Sequence, residues 1–263
     1  MNNFPVSSRP RFQAMRVLLA MIIREMNTRF GRTWGGYVWA ILEPVAMIGL
    51  LSLAFSQFIQ TPPVGSSFVL FYASGYVPFY FYSEIANTTS SAVVFNKPLM
   101  HFPAVTPLDA VLARFFLSVL TLIVVAVVVF IGIGLFDDWP RGINLESVAL
   151  SLAAAGLLGL GAGTLNCVLF PFFPVWTRIW GVLNRPLFLI SGVFFTFESM
   201  PGQIRNILWY NPLVHVIGIM RNGIFPSYDA NYVSLLFIFG LGLSAFVLGA
   251  YLLIRHRSFI SEN

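Results

Sequence analysis

Glu43 stands one turn beyond Trp39 and directly before Pro44, inside a long apolar run. An acid in such a run is costly and faces a bundle interior or an aqueous path, so it reads as functional. Tyr76 and Tyr80 follow at i, i+4 in the next apolar run, which puts two rings and two hydroxyls on one helical face. Glu198, His215 and Arg221 lie in a third stretch, Leu187 to Phe225, whose backbone is broken at Pro201-Gly202 and again at Asn211-Pro212. Broken backbone at membrane depth survives only where protein buries it or water reaches it. Catalysis asks for more than this. His101, His215 and His256 stand apart, and there is no HExxH, no DxD pair at depth and no GxSxG. A GxxxxGK(S/T) phosphate loop is also missing, and the one lysine, Lys97, lies between Asn96 and Pro98. No catalytic residue, metal or cofactor is therefore expected of this chain, and no proton relay of buried acids and histidines is apparent.

The elements that must position these residues are membrane helices. Over 263 residues the chain is 57% hydrophobic, 16% aromatic and only 10% charged, far outside the soluble range. The apolar runs suit helices rather than barrel strands, which would alternate. The expected fold is all-α and integral to the membrane, with spans at about 37–59, 67–87, 109–136, 147–171, 179–197 and 231–254. The single cysteine, Cys167, excludes an intrachain disulfide, and the polar, basic start MNNFPVSSRPRF does not read as a cleavable signal. Most of the 15 basic residues fall before the first span, in alternate connections and after the last span. The positive-inside rule then places both termini in the cytoplasm. The same asymmetry accounts for the net charge of +5 without a nucleic-acid partner.

Residues 9–32 read as an amphipathic interface helix, with Phe12, Met15, Leu19, Ile22, Ile23, Met26 and Phe30 on its apolar face and Glu25 paired to Arg29. Its Arg24, Arg29 and Arg32, with Arg178 and Arg185, are expected at a cytoplasmic entrance; a lipid anchor is the competing reading. Trp39, Glu43, Tyr76, Tyr80, Phe188, Phe194 and Phe195 are expected to line a substrate path, against a competing role in core packing. Tyr72 and Tyr82 suit an interfacial belt. The connection 90–107, bracketed by Pro98, Pro103 and Pro107, presents Phe95, Asn96, Lys97, Leu99, His101 and Phe102 and is expected to dock on something. Gly159 and Gly163 form a GxxxG that lets helices approach closely. Residues 198–225 are expected to fold as a re-entrant helix pair forming a periplasmic gate, marked by Glu198, Pro201, Trp209, Pro212, His215 and Arg221. There His215 would lie near the turn and Arg221 toward the periplasmic surface or an acid such as Glu198; an external loop resting on the membrane is the alternative.

Two stretches carry a family resemblance. REMNTRFGRTWGGYVWAILEP, Arg24 to Pro44, runs from a basic helix through Gly-aromatic-x-Trp into Glu-Pro. Pro212-Leu213-x-His215, with Arg221 after five more residues, follows near the C-terminus. Together they resemble the type 2 ABC exporter permeases, most closely the inner-membrane permease of Gram-negative capsular polysaccharide export. One departure is Gly218, where many relatives carry an acid. The resemblance implies a second copy of the chain, two copies of a separate ATPase that binds ATP and Mg²⁺, periplasmic co-polymerase and outer-membrane export proteins, and a lipid-linked, acidic polysaccharide as substrate. It makes 90–107 the ATPase coupling element. O-antigen or teichoic-acid export shares the architecture, drug or lipid efflux is a third exporter reading, and a membrane-bound glycosyl or lipid transferase is the rival from another class.

Overall fold

The computed structural model describes residues 11–30, 36–101, 105–137, 140 and 142–256, in which every regular element is helical. Arg32 and Phe102 lie outside the described residues, as do the side chains of Arg29 and His101. Ten α-helices follow in order: α1 (Arg11–Phe30), α2 (Gly36–Ser56), α3 (Phe68–Ser90), α4 (Ala92–Asn96), α5 (Pro107–Phe136), α6 (Leu145–Phe172), α7 (Pro174–Ile190), α8 (Gly202–Leu208), α9 (Pro212–Ile224) and α10 (Leu235–Arg255). Single 3-10 turns at Lys97–His101 and Phe197–Ser199 join α4 to α5 and α7 to α8.

Local chemistry sets the helix ends. Thr106 and Asp109 close a reciprocal capping box at the start of α5, with Pro107 in the first turn. Asn144 caps α6, Asn211 caps α9 ahead of Pro212, and Ser234 caps α10, each side-chain oxygen accepting from a backbone N–H of the first turn. α7 stops at Ser191, followed by Gly192 at φ 87°, a left-handed turn that a side chain would strain.

α2, α5, α6 and α10 are long and apolar enough to cross a membrane. α3 has comparable length, 23 residues, but carries tyrosines, hydroxyls and Glu84, and α7 has 17 residues. α6 is the centre of the molecule. A Cβ added to Gly159 would press on Tyr82 O at 2.8 Å and Ile85 Cβ at 2.9 Å of α3, and one on Gly163 would strike Thr89. A Cβ on Gly161 would instead meet Ala245 of α10 at 3.0 Å, while α10 returns Gly242 against Leu157 and Gly249 against Leu165. The GxxxG therefore binds α6 to α3, and the glycine between binds it to α10.

Two expectations are corrected here. Tyr72 and Tyr82 are buried in the core rather than forming a belt, because α3 is covered on nearly all sides by α2, α5, α6 and α9. On α1, the protein-facing side is Val17, Leu18, Met21 and Glu25 against α5, whereas Met15, Leu19, Ile23 and Met26 point outward. Glu25 turns to Arg114 of α5.

Gly159→Ile overfills the α3–α6 contact, where overpacking costs about 1–3 kcal/mol or more, while Gly132→Ala on α5 enters open space. Thermal unfolding in detergent is expected to show a lower Tm or loss of folded protein for the first and little change for the second.

Candidate transport pathway

α2, α3 and α7 bring most of the expected path residues together. The Tyr80 hydroxyl donates to Glu43 Oε2 at 3.3 Å, linking α3 to α2. Tyr76 and Tyr80 stack with centroids 5.7 Å apart, and Phe188 of α7 meets Tyr76 edge-on at 6.0 Å. Phe194 continues the series, edge-on to Phe188 at 5.0 Å. In front lies an open groove of about 660 Å³ lined by Trp39, Leu42, Glu43, Ala46, Met47, Leu50 and Tyr76. Trp39 is 67% exposed at its edge. Phe195 does not join this wall. It packs beside Phe197, Leu208 and Val214, because the chain turns at Gly192 and carries it to the other side.

Sequence reasoning missed two members of the same surface. Glu84 lies within electrostatic reach of Tyr76 and Tyr80. Asn87 is exposed one turn further on, and its Oδ1 accepts from Trp180 Nε1 of α7 at 3.3 Å. The signal was available: positions 76, 80, 84 and 87 fall at helical steps on one face. The stripe offers aromatic faces, hydroxyls, an amide and two carboxylates, a set that suits many weak contacts with a ring-bearing, hydroxyl-rich chain.

At the end of the molecule that holds α1 and α4, Phe95 is 65% exposed, Lys97 and Leu99 are half-buried and Pro98 is exposed. Asn96, expected on the docking face, turns inward and is 3% exposed. Its Oδ1 accepts from Arg24 Nη1 at 3.1 Å and its Nδ2 donates to Ala92 O at 3.0 Å. Arg24 is thereby tied to α4, while Arg178 and Arg185 remain exposed along α7.

The stretch after α7 folds around two buried polar side chains. Arg221 is 1% exposed, not at a surface. Its guanidinium donates to Phe195 O at 2.7 Å and Val193 O at 3.1 Å and lies over the Phe71 ring at 4.3 Å, so it satisfies carbonyls freed where α7 ends. Ser234 N–H donates to His215 Nδ1 at 3.2 Å, which makes Nε2 the protonated nitrogen, donating to Trp209 O at 2.7 Å. His215 thus ties the end of α8 to the start of α10. Exposed Glu198 accepts from Tyr228 at 2.9 Å rather than pairing directly with Arg221. Burial, then Tyr232 and the Glu198 carboxylate, push the Tyr228 phenol well above its ordinary range, so it stays a donor. At Gly218 a Cβ would lie 3.0 Å from the Tyr232 ring, so an acid there would displace it. Pro201 and Pro212 mark the starts of α8 and α9, and Trp209 stacks on Phe237 at 5.3 Å. Among the described residues no cluster of acids, histidines and cysteine could hold a metal.

The sequence matches the ABC-2 type transporter family over residues 16–225. The chain belongs to that family. This permease is 31% identical to the polysialic acid transport protein KpsM of Escherichia coli over 229 residues, 87% of this chain and 89% of the relative. It is 28% identical to the capsule polysaccharide export inner-membrane protein BexB of Haemophilus influenzae, covering 89% and 88%, and 26% identical to CtrC of Neisseria meningitidis serogroup A, which carries the same description, covering 91% of each. The ABC-2 match takes in the wall, α4 and the buried Arg221, and ends before α10.

Arg221→Lys keeps the charge of the permease's buried cation but loses the fork that reaches two carbonyls. Each unpaired buried group costs about 1–3 kcal/mol. The Tm of the detergent-solubilised permease is expected to fall by several degrees, roughly as a small change in ΔG moves Tm, while Arg205→Lys on α8 leaves it unchanged.

Proposed function

We propose that this permease moves capsular polysaccharide from the cytoplasm to the periplasm, driven by ATP that a separate subunit hydrolyses. That the chain is a permease subunit of a polysaccharide exporter rests on its family and on relatives named for that export. The observation that carries the substrate reading is the wall on α2, α3 and α7: stacked tyrosines, edge-on phenylalanines and carboxylates around an open groove. Rings present apolar faces to sugar rings and hydroxyls serve their edges, each contact weak enough to let a polymer slide.

The groove is open on one side, so a second copy of the chain supplies the opposite wall. Two copies of a nucleotide-binding ATPase, holding ATP and Mg²⁺, dock at Phe95, Lys97 and Leu99. Exposed Arg178 and Arg185 stand at the cytoplasmic entrance and attract an acidic polymer or a phosphate-bearing lipid end. In the inner membrane, α2, α3, α5, α6, α7 and α10 cross, with both termini in the cytoplasm. One buried cluster supports that arrangement, joining Met21 of α1, Val93 of α4 and Leu253 near the end of α10. α8 and α9 dip back from the periplasmic side as the gate, and periplasmic co-polymerase and outer-membrane proteins receive the polymer.

Cells lacking this chain are expected to retain polysaccharide in the cytoplasm and to regain surface capsule with the wild-type gene; unchanged surface capsule in the deletion strain would refute the reading. Tyr76→Ala and Tyr80→Ala should lower surface polymer about two- to tenfold, the equivalent of one ring contact, at normal membrane levels of protein.

The gate is tested by thiol labelling after Cys167→Ser. Leu208 and Val216 are shielded by protein whatever the membrane does, but Ile207 is 74% exposed from the chain itself. A membrane-impermeant reagent is expected to modify Gly202→Cys quickly and Ile207→Cys slowly; equal, rapid labelling of both would place α8 in water.

A further inference from the structure

A nearly buried ion pair lies outside the groove. Arg114 Nη2 is 2.5 Å from Glu25 Oε1, with the two side chains only 10% and 9% exposed. The same guanidinium donates to Thr88 O at 3.1 Å and Ser91 Oγ at 2.7 Å, and it lies over the Phe95 ring at 4.4 Å. One side chain on α5 therefore touches α1, the last turn of α3, the residue that opens α4 and the exposed ring of α4. A second tie runs parallel, from Arg24 of α1 to Asn96 of α4. Stability alone does not call for this arrangement, because apolar side chains of similar volume often hold such a site as well as a buried ion pair does. A forked cation adds direction: it fixes four partners in one register.

We propose that Arg114 is a positioning residue that couples movement of α4 to α1, using Glu25 as its anchor. The inference rests on the reading that α4 receives the ATPase. Pressure on Phe95 bears on the guanidinium beneath it, and Glu25 draws α1 along. α1 also meets α2, which carries Trp39 and Glu43, so displacement of α1 reaches the groove wall. Arg114 touches neither the groove nor nucleotide; it acts through Glu25 and Phe95.

The test uses the permease assembled with its ATPase in proteoliposomes, supplied with polysaccharide extracted from the same cells. ATP hydrolysis and polymer transport are measured together. Glu25→Gln keeps size and an acceptor oxygen while removing the charge, and Arg114→Lys keeps the charge while removing the fork. Each is expected to leave assembly and ATP hydrolysis near the wild-type level and to lower polymer moved per ATP about tenfold, with the double variant no worse than either single one. Unchanged polymer per ATP in either variant overturns the proposal. So does a proportional fall of both activities with the amount of folded complex, since that is the mark of a strut and not of a coupling. Phe95→Asp separates the underlying reading: if the complex still assembles, α4 is not the docking element and the reading itself fails. If assembly is lost there while Glu25→Gln transports normally, only the role of Arg114 fails.

Discussion

Hydrocarbon offers no hydrogen bond, so a chain this apolar must satisfy each buried polar group from within itself. The structure answers that constraint mostly at helix ends. Thr106, Asn144, Asn211 and Ser234 return a side-chain oxygen to the first turn of α5, α6, α9 and α10. Inside the helices, Ser74, Thr89 and Thr164 bond to carbonyls one turn back. Where the backbone breaks after α7, Arg221 takes up two loose carbonyls. On α3, Tyr80 and Asn87 are satisfied across helices instead, Tyr80 by Glu43 of α2 and Asn87 by Trp180 of α7.

The packing divides along the same line. α6 locks to α3 and α10 through backbone contacts that admit no Cβ, and α9 is buried almost wholly between α3 and α6. α7 is held more loosely. It has no buried residue, and its hydrogen bonds to neighbouring elements include Trp176 to Asn166, Trp180 to Asn87 and the Asn211 side chain to Ile190 O. Among its described side chains α2 buries Pro44, Ile48, Leu51 and Ser52, and it meets the wall through Glu43 with Tyr80 and Phe55 with Phe194. The groove thus runs along lightly packed α2 against Tyr76 of the tightly packed α3.

What the sequence made legible follows this division. Membrane class, the breaks at Pro201 and Pro212, the GxxxG and the pairing of Tyr76 with Tyr80 are local or periodic features, and period alone locates them. The inward turn of Asn96, the detachment of Phe195 from the wall and the burial of Arg221 depend on partners 72, 26 and 28 residues away along the chain. No local pattern encodes such distances. Glu25 is a further case: it faces Arg114 of α5, 89 residues along the chain, because Met21 and Leu18 beside it are drawn into the core. Glu84 and Asn87 were readable in principle, since they extend the tyrosine spacing already noticed.

The light tethering of α2 and α7 also bears on how such a protein diverges. A substitution on Trp39 or Leu42 alters the lining of the groove without meeting the glycine contacts that hold α6. This chain differs from the relatives named above at most positions, being 26–31% identical to them. Change therefore costs least on these two peripheral helices, where few buried neighbours must adjust to it.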